Sequence, residues 1–152
     1  YCKLARQSIE YYLQHKKLMK VPEDTDKDLL NMQAGVFVSL KKFQELRGCI
    51  GTFLPNQINI ASEIISNAVS AATRDPRFPA VKISELHDIV ISVDVLSTPI
   101  VSFGNKRGLL LPNLPGIDTS EEQLLIACDK AGINPNSNYS IERFTVERHY
   151  ES

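Results

Sequence analysis

The chain has 152 residues, of which 43% are hydrophobic and 23% charged, and its formal net charge is −1. This length corresponds to one ordinary domain with enough apolar residues to form a core. A net charge near zero provides no general attraction to nucleic acid or to an anionic membrane surface. The composition therefore favours a globular protein, and no apolar run is long enough for a membrane span.

The cysteines indicate a reducing compartment. Cys2, Cys49 and Cys128 are odd in number and have no CxxC spacing, which argues against a disulfide framework and against a zinc site. Residues 1–6 resemble neither a signal peptide nor a transit peptide. We therefore expect a cytoplasmic protein, and we expect it to use no metal and no cofactor, because no His/Asp/Glu group has the spacing of metal ligands.

The first part of the chain predicts a helix followed by two paired strands. Residues 4–18 have the apolar spacing of an amphipathic helix. Residues 21–31 are polar, and we interpret their acidic run as a solvated loop. Residues 35–40 are rich in β-forming residues. The short polar segment 41–45 then turns the chain into a strand around Cys49.

The middle of the chain predicts a long helix and the clearest strand. Asn59 suits the N-cap of a helix over 60–73, which should end before Pro76. Residues 89–96 alternate as a strand, and Asp94 lies on its more polar face. A carboxylate on a half-buried sheet face needs a partner, which Arg47 or Arg74 could provide. The alternative is that Asp94 lies at a solvated strand end.

The last part of the chain predicts smaller elements. Residues 97–106 are loop-like, and a short apolar strand over 108–112 ends at its proline. Thr119 and Glu122 form a capping-box pattern that opens a helix through residue 131, with Gly132 just beyond its end. Cys128 lies among apolar residues of that helix and is expected in the core. Residues 141–147 predict a final strand.

The most unusual segment is LRGCIGTF, residues 46–53. Glycine weakens a strand, so two glycines there indicate a bulge, a bend or a close approach of backbones. If side chains alternate, Arg47 and Cys49 share one face, over a floor that Gly51 leaves open. A nearby guanidinium lowers the pKa of a thiol and makes it more nucleophilic. The alternative is a small buried cysteine, with Arg47 reaching solvent.

A second unusual segment is RDPRFP, residues 74–79. It is either structural, with Arg74 at a helix C-terminus and Asp75 paired with Arg77, or it is a rigid loop that binds an anion or a carboxylate. Arginine suits the second role because its guanidinium is a planar donor fork.

Three segments in this order and spacing resemble the AMMECR domain family, named for the AMME syndrome chromosomal region. They are LRGCIG at 46–51, AATRDPRF at 71–78 and GLLLP at 108–112. The strands at 35–40 and 91–96 fit the same pattern. The resemblance therefore predicts one AMMECR-type domain over residues 1–152.

The resemblance implies an α+β fold, with a mostly antiparallel sheet flanked by helices in a larger lobe, a small second lobe, and a cleft near LRGCIG. It implies no known reaction, because the family is described as uncharacterised. Prokaryotic members are called protein A of the AmmeMemoRadiSam system, which implies Memo-like and radical SAM proteins as partners in a redox or modification pathway. Loops near 53–59 and 103–104 are shorter than in the family pattern, so residues are either deleted there or missing from the sequence.

Two functions remain open. In the first, the protein is an enzyme in which Cys49 is a nucleophile or redox thiol and arginines hold an anionic small molecule. A Cys–His mechanism has weak support, because the three histidines have no motif around them. In the second, the protein is a binding or adaptor module for a partner protein, an anionic metabolite or nucleic acid, and its low aromatic content makes nucleic acid the weakest of these. The expected site has Cys49 as its catalytic residue and Arg47, Gly48, Gly51, Thr52, Arg74, Asp75, Arg77 and Asp94 as its substrate-binding residues.

Overall fold

The computed structural model describes residues 1–96, 100–109, 120–141 and 145–152. The chain divides into two compact units, one of Tyr1–Ser97 with Val146–Ser152 and one of Thr98–Thr145. Their unequal sizes correspond to the larger and smaller lobes that were expected. Predicted features at Pro112 and Thr119 lie outside the described residues.

The elements follow one another in the order expected of an α+β protein. The helices are α1 (Cys2–His15), α2 (Lys27–Asn31), α3 (Ile60–Thr73) and α4 (Ser120–Ala131), with a 3₁₀ helix at Ile83–Asp88. The strands are β1 (Gly35–Lys42), β2 (Glu45–Thr52), β3 (Ile89–Leu96), β4 (Ile100–Phe103), β5 (Lys106–Leu109), β6 (Ser140–Ile141) and β7 (Val146–Tyr150).

The larger unit is a four-stranded antiparallel sheet, in the order β2-β1-β3-β7, with helices packed on one face. Val36, Val38 and Leu40 of β1 are fully buried on that face. Apolar side chains of α1 and α3 complete the core. This arrangement confirms the predicted antiparallel sheet and leaves β2 at the sheet edge.

Local signals predicted α3 and β3 well. Asn59 accepts a hydrogen bond from the Ser62 amide at 2.9 Å, as expected of an N-cap, and α3 ends at Thr73. The prediction of a continuous loop over 21–31 is wrong, because Asp26 caps the short helix α2 by accepting the Asp28 amide at 2.8 Å. A five-residue helix is too short to show helical periodicity.

The smaller unit differs from the prediction at two places. Residues 97–106 were expected to be a loop, but β4 and β5 pair as a hairpin that turns at Gly104, whose φ is +58°. The single final strand expected over 141–147 is wrong, because β6 ends at Ile141 in the smaller unit and β7 begins at Val146 in the larger one. Cys128 is fully buried in α4, as predicted.

Candidate functional site

The Cys49 thiol lies on the sheet face away from the helices. Residues paired across antiparallel strands share a face, and the register places Cys49 opposite Ser39, which in turn lies opposite Ser92. The Ser39 hydroxyl oxygen is 3.2 Å from the Cys49 sulfur. Cys49 is half-buried, whereas Cys2 and Cys128 are buried. The thiol predicted as the reacting group is therefore the most accessible of the three.

Two side chains hold the Cys49 backbone at the open edge of β2. The Cys49 amide donates to Asp75 Oδ2 at 2.9 Å, and Arg77 Nη2 donates to the Cys49 carbonyl at 3.3 Å. Arg77 also pairs with Asp75 through Nε at 3.0 Å and Nη2 at 2.8 Å. An edge strand normally presents unpaired backbone groups, and here an ion pair satisfies them. The pairing of Asp75 with Arg77, one of the two interpretations of this segment, is confirmed, and the pair positions Cys49.

Asp75 and Arg77, which together form a clamp on the Cys49 backbone, shift each other's pKa. Hydrogen bonds from Arg77 are the main reason that the pKa of Asp75 is well below its ordinary value, and burial opposes them. Asp75 in turn raises the pKa of Arg77, with a smaller contribution from the charge of ionised Cys49. Asp75 is buried, but the Arg77 side chain is 55% exposed. Of the three arginines predicted for the site, Arg77 is therefore the one that bonds the Cys49 backbone and is still more than half exposed.

Arg47 has a different role from the predicted one. A register shift in the β1–β2 pairing places it at a bulge, and bulges interrupt the alternation of side chains. Its guanidinium donates to Glu85 at 2.6 Å and to the Pro79 carbonyl at 2.9 Å. Burial raises the pKa of Glu85, but hydrogen bonds, with that from Arg47 the strongest, lower it to about 2. Arg47 ties β2 to the segment before β3 instead of pairing with Cys49.

The two glycines allow close packing on opposite faces of β2. A Cβ at Gly48 would lie 2.2 Å from the Ala71 carbonyl oxygen of α3, which confirms the predicted close approach of backbones. A Cβ at Gly51 would lie 2.3 Å from Phe37 Cγ. The predicted open floor beside Cys49 is therefore wrong, because the Phe37 ring fills that space and packs edge-on against Phe53 at 4.9 Å between centroids.

Thr52 belongs to a buried polar network centred on Glu63, a residue that the sequence analysis missed. Glu63 is 1% exposed and accepts hydrogen bonds from the Thr52 hydroxyl at 2.6 Å and from the Asn56 and Gln57 amides at 2.8 and 2.7 Å. The Asn67 amide group also donates to Thr52 at 3.2 Å. The network holds the loop after β2. In the sequence, Glu63 resembles an ordinary acidic residue of a first helical turn.

The partner of Asp94 is Arg148, which the sequence analysis did not consider. Arg148 lies directly opposite Asp94 on β7 and donates through Nε at 2.6 Å and Nη2 at 2.7 Å. The first alternative, Arg47 or Arg74 as partner, is wrong, and so is the second, because the Asp94 side chain is paired and mostly buried rather than solvated. Arg74 is exposed at the C-cap of α3, and its side chain is not among the groups that contact Cys49 or Asp75. Its role in binding stays a prediction.

Within the described ranges, no group of three or more His, Cys, Asp or Glu residues is placed to hold a metal ion. In the same ranges, no helix is both long enough and apolar enough to cross a bilayer.

The profile of the AMMECR1 family matches residues 2–149. The chain belongs to the AMMECR1 family. It is 48% identical to protein CA_C1420 of Clostridium acetobutylicum over its whole length, which is 36% of that protein. It is 47% identical to a Thermotoga maritima protein, with 98% of this chain and 96% of that one covered.

A solved structure has a similar fold and supports the α+β class. The crystal structure of the uncharacterized protein PH0010 from Pyrococcus horikoshii matches with a TM-score of 0.67 and 34% identity, over 97% of this chain and 87% of that one. The alignment with the Clostridium protein has 168 positions against 152 residues here. That relative therefore carries residues which this chain lacks, although their location at the two predicted loops stays a prediction. The names of these relatives specify no reaction.

Proposed function

We propose that this AMMECR1-family protein acts through the Cys49 thiol, as an enzyme or as a component of a cytoplasmic modification pathway, on an anionic group attracted by Arg77. The observation that carries the proposal is the clamp at the sheet edge. Asp75 and Arg77 bond both backbone groups of Cys49, while its thiol is left half-buried. Reactive groups need such fixed positions, because small displacements cost rate.

The chemistry available at this site is that of a thiolate assisted by a hydroxyl and a cation. The Ser39 hydroxyl can donate to the sulfur, and hydrogen bonds to charged groups are the stronger ones. No contact joins a histidine to Cys49 in the described part of the chain. Of the histidines, His87 lies beside Asp88 and His149 stacks on Tyr1. The proposed reaction therefore relies on Ser39 and Arg77 beside the thiol rather than on a Cys–His pair.

The first prediction concerns the three cysteines of the folded protein. Iodoacetamide is expected to label Cys49 at least about tenfold faster than the others, because a buried thiol is alkylated only after local opening. Cys128 is fully buried, and burial raises the pKa of Cys2. Mass spectrometry of each cysteine peptide over time measures the three rates. If Cys49 is labelled only when the protein unfolds, the proposed function is wrong.

Two arginine variants separate the expected contributions of Arg77 and Arg47 to the rate of Cys49 labelling. Arg77→Gln should slow Cys49 labelling by about two- to fivefold, the effect expected of one partly exposed charge. Arg47→Gln should leave the rate within about twofold, because its guanidinium bonds Glu85 and the Pro79 carbonyl and makes no hydrogen bond to Cys49. The reverse order of effects would assign the activating role to Arg47.

A second candidate function is that of an adaptor, and one observation favours it. Residues 48–62 contain no charged side chain, and they include the exposed residues Leu54 and Ile58, at 49% and 79% exposure. Protein interfaces are depleted of charged residues at their centres. The Memo-like and radical SAM proteins implied by the family resemblance are the partners we propose. Gel filtration of each purified partner with the chain tests this function: a complex kept by Cys49→Ser and lost with Ile58→Asp supports an adaptor.

A further inference from the structure

An aromatic pair lies next to Cys49 on the same face of the sheet. Cys49 and Gly51 are alternate residues of β2, so they are roughly 7 Å apart along the strand. The Phe37 ring covers Gly51, and Phe53 packs edge-on against Phe37. Phe53 is 41% exposed. A group held at the thiol therefore meets an apolar surface on the Gly51 side. The two rings form this surface, and part of it is exposed to solvent.

Arg77, a cation with an unused donor atom, lies beside Cys49 at the open edge of β2. Arg77 uses its Nε and Nη2 atoms on Asp75 and on the Cys49 carbonyl. Its Nη1 atom has no hydrogen-bond partner among the described residues, and more than half of the side chain is exposed. Asp75 also holds the guanidinium in place, so less conformational entropy is lost when Arg77 binds a further anion.

We propose that the Cys49 site takes a ligand with a flat apolar group, preferably aromatic, next to an anionic group. The aromatic part packs against Phe53 and Phe37, the anion binds Arg77 Nη1, and the thiol lies between them. This inference rests on the proposed function, because it concerns what approaches the same thiol. It assigns the selection of the ligand to Phe53, which packs against Phe37 and is still 41% exposed.

Four symmetrical disulfide reagents provide the test, because together they cover every combination of aromatic or aliphatic with anionic or uncharged. Dithiobis(nitrobenzoate) is aromatic and anionic, dithiodipyridine is aromatic and uncharged, dithiodipropionate is aliphatic and anionic, and bis(hydroxyethyl) disulfide is aliphatic and uncharged. In each case the Cys49 thiolate attacks one sulfur, a mixed disulfide forms on Cys49, and the other half leaves as a thiolate. Mass spectrometry of the Cys49 peptide gives the rate for each reagent.

The measured quantity is the rate of a variant divided by the wild-type rate with the same reagent. Comparison of this ratio between reagents cancels each reagent's own reactivity and any change in thiolate fraction. Phe53→Ala should lower the ratio about threefold further for the aromatic reagents than for the aliphatic ones, as expected for loss of an aromatic contact. Arg77→Gln should lower it about threefold further for the anionic reagents than for the uncharged ones.

Matched controls remove similar groups elsewhere. Phe43 is an exposed phenylalanine in the β1–β2 turn, and Lys17 is an exposed cation just beyond α1. Phe43→Ala and Lys17→Gln should give equal ratios with all four reagents. Phe53→Leu keeps most of the apolar volume and guards against a folding defect in Phe53→Ala. It should also slow the aromatic reagents more than the aliphatic ones, but by less than Phe53→Ala does.

The outcomes distinguish the two proposals. If Cys49 reacts readily but Phe53→Ala and Phe53→Leu change all four rates equally, the aromatic subsite is wrong while the proposed function stands. If Arg77→Gln shows no preference between anionic and uncharged reagents, the anion subsite is wrong. If wild-type Cys49 reacts with none of the reagents in the folded protein, the proposed function fails, and this inference fails with it.

Discussion

Replacing Gly48 with alanine is expected to lower the free energy of unfolding by about 3 kcal/mol, the range of a severe overpacking substitution. The new Cβ would lie 2.2 Å from the Ala71 carbonyl oxygen. That oxygen belongs to the backbone of α3 and has no rotamer change available to it. Either α3 moves away from the sheet or β2 bends, and both lose contacts of the core. Urea unfolding followed by circular dichroism measures the change.

The control for this substitution is Ser66→Ala in the middle of α3. It adds no atom, and alanine is the better helix former by about 0.5 kcal/mol. Ser66→Ala should therefore be neutral or slightly stabilising. A Gly48→Ala protein as stable as the wild type would show that α3 does not approach β2 as closely as the structure indicates.

Replacing Asp75 with alanine is expected to cost about 2 kcal/mol at neutral pH, because a half-buried amide loses its acceptor and the ion pair of a buried carboxylate is broken. The Cys49 amide would lose its acceptor, and Arg77 would lose the bonds that its own amide, Nε and Nη2 donate to the carboxylate. Asp75→Asn keeps an acceptor but loses the charge, so it should cost less. The exposed Asp24 provides a control, since Asp24→Asn should change stability by less than about 0.5 kcal/mol.

The pH dependence of the Asp75 effect follows from the direction of its pKa shift. The pKa of Asp75 is lower in the folded protein than in the unfolded chain, so the ionised carboxylate stabilises the fold above the unfolded value of about 3.9. The stability difference between the wild type and Asp75→Asn should be constant from about pH 8 to pH 5 and shrink as the pH falls below about 4. A difference that stays constant down to pH 2 would contradict the ion pair.

Local sequence signals predicted those features whose causes lie within a few residues. Asn59 caps α3 through the amide of Ser62, three residues further along the chain. Asp75 pairs with Arg77, two residues away. In both cases the chain itself keeps the partners together at little entropic cost, so composition and spacing suffice to identify them.

Contacts between distant residues were predicted less well. Arg47 was expected to act on the adjacent thiol, but it bonds Glu85, 38 residues away, because of a bulge that the strand pattern does not reveal. Asp94 pairs with neither of the two arginines that were considered, because its partner Arg148 lies on β7, 54 residues further on. Simple alternation of side chains holds only where the register is regular.

The sequence by itself determined the family and, through that family, the α+β class, and it predicted Cys49 as the centre of the site. It did so because periodicity, helix caps and the LRGCIG and DPRF segments each involve only residues that are close together in the sequence. The tertiary structure decided which arginine bonds Cys49, that an aromatic ring fills the space beside that residue, and that Glu63 holds the loop after β2. Those outcomes depend on strand register and on the approach of α3 to β2, which are determined by packing of the whole unit rather than by any local segment.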